Sequence, residues 1–352
     1  MKKSFLISIV CVGPALALGC EEKKPAEEHK PAASASASAT VAAVDAAAAP
    51  AEKADPKLVA RGEYLVNEVM NCGACHTPMG PQGPDMSKKF AGGLEIPEVF
   101  GTWRSLNITQ DKKTGIGGWT DEQIATAIRE GKRPNGDQLY PIMPYPFYNS
   151  LSDADVKAVV AYLRTIPPVE NAVAGVTDLK LPKPPMPKPS GKAPEDKPEA
   201  RGAYLATLMH CGQCHTPMDE KTMQPIADKP MAGGQKFTLP MFGTGDLYAQ
   251  NITPDKKTGL GNWTDEDYMN SLTKLKHKDG TPIQGPMGLL GMNWNKMEQS
   301  DLKDVIAWMK SLKPIENKVP KSTFKPKGPP PPPASSATPA GSAGATGTGK
   351  NK

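Results

Sequence analysis

The pentapeptide Cys-x-x-Cys-His occurs twice, as Cys72-Gly73-Ala74-Cys75-His76 and as Cys211-Gly212-Gln213-Cys214-His215. This pattern reads as a covalent haem attachment site. Two thiols at this spacing can add to the two vinyl groups of one haem, and the next residue offers an imidazole to the iron. One helical turn presents all three groups to a single porphyrin. A single copy could equally be a redox dithiol or half of a zinc site. Two copies in matching surroundings point to two haems, and so to two folded units that each wrap one.

The surroundings do match. Arg61-Gly62 and Tyr64-Leu65 recur as Arg201-Gly202 and Tyr204-Leu205, and Thr-Pro-Met follows each histidine. Ala91-Gly92-Gly93 recurs as Ala232-Gly233-Gly234, and Phe100-Gly101-Thr102 as Phe242-Gly243-Thr244. Asn107-Ile108-Thr109 recurs as Asn251-Ile252-Thr253, and Trp119-Thr120-Asp121-Glu122 as Trp263-Thr264-Asp265-Glu266. The interval from Asn to Trp is 12 residues in both copies, but from His76 to Asn107 it is 31 and from His215 to Asn251 it is 36. The second copy thus carries an insertion after its haem motif. A fixed repeat of this kind is read as duplication of one structural unit.

Each copy predicts three helical segments and no convincing strand. The first leads into the haem motif, over 57–75 and 199–214. The second begins at a cap, Thr120 with Gln123 or Thr264 with Asp267. The third shows apolar residues at i, i+3, i+4 and i+7, namely Val156, Val159, Val160 and Leu163, then Leu302, Val305, Ile306 and Met309. Ser152 is placed to cap the first of these. The expected architecture is all-α, with two tandem haem domains at 57–172 and 198–320. A Pro/Lys-rich linker at 173–197 joins them, stiff and extended by composition. A Pro-rich tail at 321–352 is assigned no structure.

Residues 1–19 read as an export signal: Lys2 and Lys3, then the apolar run Phe5–Leu18, too short for a transmembrane helix. Ala17-Leu18-Gly19-Cys20 resembles a lipoprotein box, which would place a lipid on Cys20. Cleavage after Ala15-Leu16-Ala17 is the alternative. Residues 20–56 form an Ala/Ser/Pro/Glu/Lys tether of the composition that stays disordered. The expected location is therefore outside the cytoplasm, periplasmic and lipid-anchored. The net charge of +5 does not mark a nucleic-acid protein. Residues 57–172 hold 12 basic and 13 acidic side chains, and 198–320 hold 14 of each, so neither folded domain offers a basic face. Four of the six cysteines lie in the two motifs and two in the leader, so no disulfide is expected.

Histidine fills one axial position of each iron. The second candidate is Met143, in Tyr140-Pro141-Ile142-Met143-Pro144, and its counterpart is Met287, in Gly285-Pro286-Met287-Gly288. Both stand 24 residues after the repeated tryptophan and 7 after a glycine. The prolines restrict the backbone to a presenting loop. Met292 lies nearby and competes with Met287. Met79 and Met218 follow the histidines too closely to reach the opposite face of the ring. Trp119 and Trp263 could meet the haem edge or simply pack. Asn107 and Asn251 more naturally shape a turn. His210 and His277 read as surface residues.

With these residues in view, the chain resembles a duplicated class I c-type cytochrome. Within that group it is similar to the cytochrome c subunits of bacterial membrane-bound alcohol and gluconate dehydrogenases. The likeness rests on Asn-Ile-Thr-x-Asp-x-x-Thr-Gly-x-Gly-x-Trp-Thr-Asp-Glu, on Leu139–Tyr145, on Leu151-Ser152-Asp153 and on Ala161–Arg164. Those subunits usually carry three haem motifs, and this chain has two. The resemblance implies two covalently bound haem c groups, held through Cys72, Cys75, Cys211 and Cys214 and ligated by His76/Met143 and His215/Met287. It implies a crossing of first and last helices, Gly62 or Tyr64 against Tyr162 and Gly202 or Tyr204 against Trp308. It also implies outer-sphere electron transfer from a dehydrogenase to an oxidase or a soluble cytochrome, with no catalytic residues. The alternative is a dihaem enzyme, a peroxidase or thiosulfate-type dehydrogenase, in which one axial site opens.

Overall fold

The computed structural model describes residues 55–80, 83–98, 101–174, 186–219, 221–222, 224–238, 240 and 243–327. The described residues all belong to one compact unit, Glu52–Lys352, the second of two into which the chain divides. The leader, Cys20 and most of the tether and tail lie outside the described residues. Both repeats belong to the second unit.

In the first repeat α1 (Pro56–Tyr64) runs on through a π turn, Leu65–Val69, and is followed by α2 (Cys72–His76). The remaining helices are α3 (Asp121–Glu130), α4 (Tyr145–Tyr148) and α5 (Asp153–Leu163). The second repeat has α6 (Pro198–Leu208), α7 (Cys211–His215), α8 (Asp265–Thr273), α9 (Pro286–Leu290) and α10 (Gln299–Ser311). The expected single helix into each haem motif is therefore two. Asn71 and His210 stand between them with φ of 45° and 46°, a left-handed conformation that ends one helix and redirects the chain into the motif. The π turn also has a cause in the sequence. Arg61 precedes Cys72 by 11 residues, whereas Arg201 precedes Cys211 by 10. One extra residue is absorbed as an i→i+5 turn, closed by Met70 N to Leu65 O at 2.8 Å, so the motif keeps its place.

The predicted caps form. Thr120 with Gln123 and Thr264 with Asp267 make reciprocal capping boxes, and Ser152 accepts from Asp155 N. The periodic residues of α5 and α10 are buried as expected. Burying one such side chain stabilises by roughly 1.5–3 kcal/mol, so these four positions in each repeat contribute substantially to its interior.

The all-α expectation needs correction. Short antiparallel ribbons flank the helices among the described residues: Met79–Gly80 with Gly83–Pro84, Glu95–Glu98 with Gly101–Arg104, and Lys236–Thr238 with Asp246–Tyr248. These stretches are too short and too rich in Gly and Pro to show a period. They account for the insertion in the second copy. Met79 pairs with Pro84 but Met218 with Pro225, two residues more, and Glu95 pairs with Arg104 but Lys236 with Tyr248, three more. The extra residues thus fall between paired positions, two between Met218 and Pro225 and three between Lys236 and Tyr248. The beginning of the tail is also structured, with Lys325–Pro326 pairing to Gly243–Thr244. The described end of the linker lies against the first repeat, where Asp153 N donates to Gly191 O at 2.9 Å.

The helix crossings are as tight as the resemblance implied, on the glycine side. A Cβ on Gly62 would stand 1.9 Å from Ala158 O, and one on Gly202 1.9 Å from Asp304 O, with Tyr162 and Trp308 the next neighbours. Arg61 with Asp155 and Arg201 with Asp304 close the crossings by ion pairs at 2.9 and 2.7 Å. Tyr64 and Tyr204 go elsewhere, to the seam between repeats. Tyr204 donates to Asp155 at 2.7 Å and Tyr64 donates to Asp301 at 2.6 Å, a reciprocal exchange.

Gly62→Ala is expected to destabilise the first repeat by about 3 kcal/mol or more, because backbone carbonyl and not a movable side chain opposes the methyl. Denaturant unfolding followed by far-UV circular dichroism measures this. A loss below about 0.5 kcal/mol would mean the helices separate freely.

Candidate functional site

Two cavities lie one in each repeat. The first, about 670 Å³, is lined by Cys72, Cys75, His76 and Met143 among others. The second, about 400 Å³, is lined by Cys211, Cys214, His215 and Met287. Every residue singled out for haem in the sequence thus faces one of two cavities, grouped as expected. Met292 lines neither cavity and is 38 % exposed. Met79 and Met218 are also outside both linings.

Each histidine is oriented from behind. His76 Nδ1 donates to Leu106 O at 2.7 Å, and His215 Nδ1 donates to Gln250 O at 2.7 Å. The bond commits Nδ1 to its proton and leaves the lone pair on Nε2. The repeated Gly-Gly makes this contact possible. Gly92 N donates to His76 O at 2.8 Å, and Gly92 has φ of 73°. A Cβ there would lie 2.6 Å from Leu106 O, the same carbonyl that holds the imidazole. Gly233 repeats the arrangement, with a Cβ 2.5 Å from Gln250 O. The two glycines let one strand of loop pass close behind the other.

The repeated asparagines are turn builders. Asn107 donates to Thr114 Oγ1 and Val169 O and accepts from Thr109 N and Oγ1, at 2.7–2.9 Å. Asn251 does the same with Thr258, Ile315 and Thr253. With the whole amide used, neither serves a ligand. Trp119 and Trp263 line the cavities and pack against the core.

Burial sets the chemistry of these groups. Loss of hydration pushes the thiols of Cys72 and Cys211 up to about 12, and those of Cys75 and Cys214 to about 11. It pulls His76 and His215 down, so each imidazole is neutral and has a lone pair to give. Such thiols are poor redox dithiols, which need a lowered pKa.

The residues fit a haem in each cavity. The four described cysteines are unbridged. Trp103 Nε1 and Trp294 Nε1 are buried without a hydrogen-bond partner, and these tryptophans line the first and second cavity respectively. A buried orphan donor costs about 1–3 kcal/mol, and a carboxylate-bearing ring is a suitable acceptor. Neither indole was singled out in the sequence, because nothing in their spacing separates them from packing residues.

The family model "Cytochrome c" matches residues 59–167 and again 199–313. The chain belongs to the cytochrome c family. It is a duplicated c-type cytochrome with two covalently bound haem c groups. It is 33 % identical over 280 residues to the gluconate 2-dehydrogenase cytochrome c subunit of Pantoea cypripedii, covering 74 % of this chain and 61 % of that one. It is 33 % identical over 289 residues to the cytochrome c subunit of the quinone alcohol dehydrogenase of Komagataeibacter europaeus, covering 78 % and 60 %. It is 29 % identical over 286 residues to a "Diheme cytochrome c-type" protein of Cereibacter sphaeroides, covering 75 % and 91 %. The chain thus spans about three fifths of those dehydrogenase subunits and most of the dihaem protein.

Two histidines depart from expectation. His277 is half-buried and lines the second cavity, at the position that Arg133 occupies in the first. His210, read as a surface residue, is only 9 % exposed and lines both cavities. Its ring meets Tyr148 of the first repeat edge-on at 6.4 Å, because the seam between the cytochrome domains covers it. A sequence read one domain at a time has no signal for that cover.

Two outcomes follow from these groups. Gly92→Ala is expected to shift the midpoint potential of the first haem while leaving the second, measured by spectroscopic redox titration. Desolvation lowers His210 from 6.5 to about 4. The folded state therefore binds fewer protons than the unfolded one between those values. Stability is full above pH 6.5 and falls as pH drops through the window, by up to about 3 kcal/mol. His210→Asn, which tolerates the left-handed backbone, should remove that acid-side loss in urea unfolding at stepped pH.

Proposed function

We propose that this cytochrome is an exported dihaem electron carrier, moving single electrons between a dehydrogenase and a downstream acceptor. One observation supports it most: His210, Cys214, Phe237, Pro286 and Leu290 line both cavities, so a single layer of side chains separates the two sites. When bound, each haem supplies a ferrous/ferric couple that takes up or releases one electron. Cys72 and Cys75 anchor the first ring and Cys211 and Cys214 the second, as thioethers. His76 and His215, steadied by Leu106 O and Gln250 O, would hold each iron through Nε2. Met143 and Met287 would supply the second ligand, and a soft thioether favours the reduced iron and raises the potential. An iron so held would leave no open site for a substrate. Apolar walls around Ile116, Ile124 and Ile128, and around Leu260 and Leu272, keep water from the rings, which limits the rearrangement that accompanies a change of charge.

The donor is read as a dehydrogenase because several relatives are cytochrome subunits of such enzymes, and the acceptor as an oxidase or soluble cytochrome. In this reading the leader exports the chain, and a lipid on Cys20 holds it at a membrane. Among the described residues no helix is long and apolar enough to cross one. Residues 57–172 and 198–320 are the two carrier domains.

The test is a redox titration with spectra on the oxidised and reduced holoprotein. Met143→Ala and Met287→Ala should each remove one component of the sulfur-to-iron absorption band at the red end and lower one of two potentials. Met292→Ala should change neither. If Met292→Ala removes a component, or if the wild type is high-spin at either iron, the ligand assignment fails.

A further inference from the structure

The residue before each haem motif reaches into the other domain. In the second repeat this is His210, whose ring meets Tyr148 edge-on, five residues beyond Met143 in the chain. Beside it Phe147 approaches the motif, within 3.3 Å of where a Cβ on Gly212 would be. In the first repeat it is Asn71, and its contacts are polar. Asn71 is buried. Its Nδ2 donates to Leu290 O at 2.8 Å and to Leu289 O at 3.4 Å, and its Oδ1 accepts from Asn293 Nδ2 at 3.2 Å.

Those carbonyls end α9, the five-residue helix whose second residue is Met287. The last carbonyls of any helix lack partners within it. A helix this short forms few internal bonds, so external capping weighs heavily in its stability. At its start α9 has no side-chain cap, and Gly285 stands there with φ of 67°. At its end α9 runs straight into a 3-10 turn, Gly291–Lys296, and Asn71 adds a donor to the carbonyls of Leu289 and Leu290 at that junction from across the seam. In the first repeat the corresponding contact is the edge-on meeting of His210 with Tyr148, and among the described residues no side-chain hydrogen bond runs from His210 to the methionine loop. The seam is reciprocal in position and unequal in chemistry.

We propose that Asn71 is a positioning residue for the axial methionine of the haem in the other domain: by capping α9 it holds Met287 against the second iron. This rests on the reading of Met287 as that ligand. The second haem's methionine bond then depends on domain contact in a way the first does not, and loosening the seam would release Met287 first.

The experiment uses full-length holoprotein. Met143→Ala and Met287→Ala first identify which component of the sulfur-to-iron band, and which potential, belongs to each haem. Asn71→Gly removes the amide yet keeps the left-handed backbone beside Cys72. It should lose the Met287 component and move the second potential towards that of Met287→Ala, while the Met143 component and the first potential stay unchanged. Asn71→Asp, similar in size and also tolerant of that backbone, puts a carboxylate against two carbonyl oxygens and should do the same. It serves where Asn71→Gly fails to take up haem. If Met287→Ala removes no component, the ligand reading falls. If Met287→Ala removes one but the Asn71 variant removes none, the cap falls and the ligand reading stands. Loss of the Met143 component instead would make Asn71 a local support of its own haem motif and overturn the proposal.

Discussion

Everything in each domain hangs on one close crossing. Gly62 lets α1 lie against the backbone of α5 at Ala158, and Gly202 lets α6 lie against α10 at Asp304. Close-packed helices with an ion pair at the crossing make a rigid corner. The haem motif is the next thing in the chain after that corner. Its place in space is inherited from it, and the π turn at Leu65–Val69 shows how strictly. An extra residue in the first repeat is taken up inside the helix so that the motif remains in register.

From the corner outward, the loops are built by backbone proximity more than by side chains. The Gly92 and Gly233 turns bring a carbonyl to the rear of each histidine, and Asn107 and Asn251 tie the following turn to the segment after the last helix. Those residues recur in both repeats because the same close approaches recur. The domains then meet across a seam where Tyr64 and Tyr204 each bond an aspartate of the other domain and the residue before each haem motif touches the other domain just past its methionine. Duplication gives the seam its pseudo-symmetry. Divergence at one pair, Asn71 and His210, gives the two halves of the seam different chemistry.

Much of this was legible in the sequence. The attachment residues and histidines follow from the spacing of the motif. Equal intervals in two copies singled out Met143 and Met287, each of which lines the cavity of its own motif, and the capping residues and buried faces of α5 and α10 follow from local rules. What escaped had non-local causes. The short ribbons have no period to read. Asn71 and His210 are ordinary polar residues until another domain covers them. Trp103 and Trp294 look like packing residues, and only their orphaned indole nitrogens distinguish them. His277 stands among lysines in the chain yet turns into the second cavity.

By itself the sequence determined that there are two haem units, and it set two cysteines, a histidine and a methionine at matching intervals in each. Those are properties of spacing, which covalent geometry and helical periodicity enforce one domain at a time. The tertiary structure alone decided how the units meet. It placed five residues in the lining of both cavities, buried His210, and brought the amide of Asn71 to the end of the Met287 helix. Such pairings join residues more than 200 positions apart, as Asn71 and Leu290 are. They depend on which surfaces the packed domains leave to cover one another, and no local pattern encodes that.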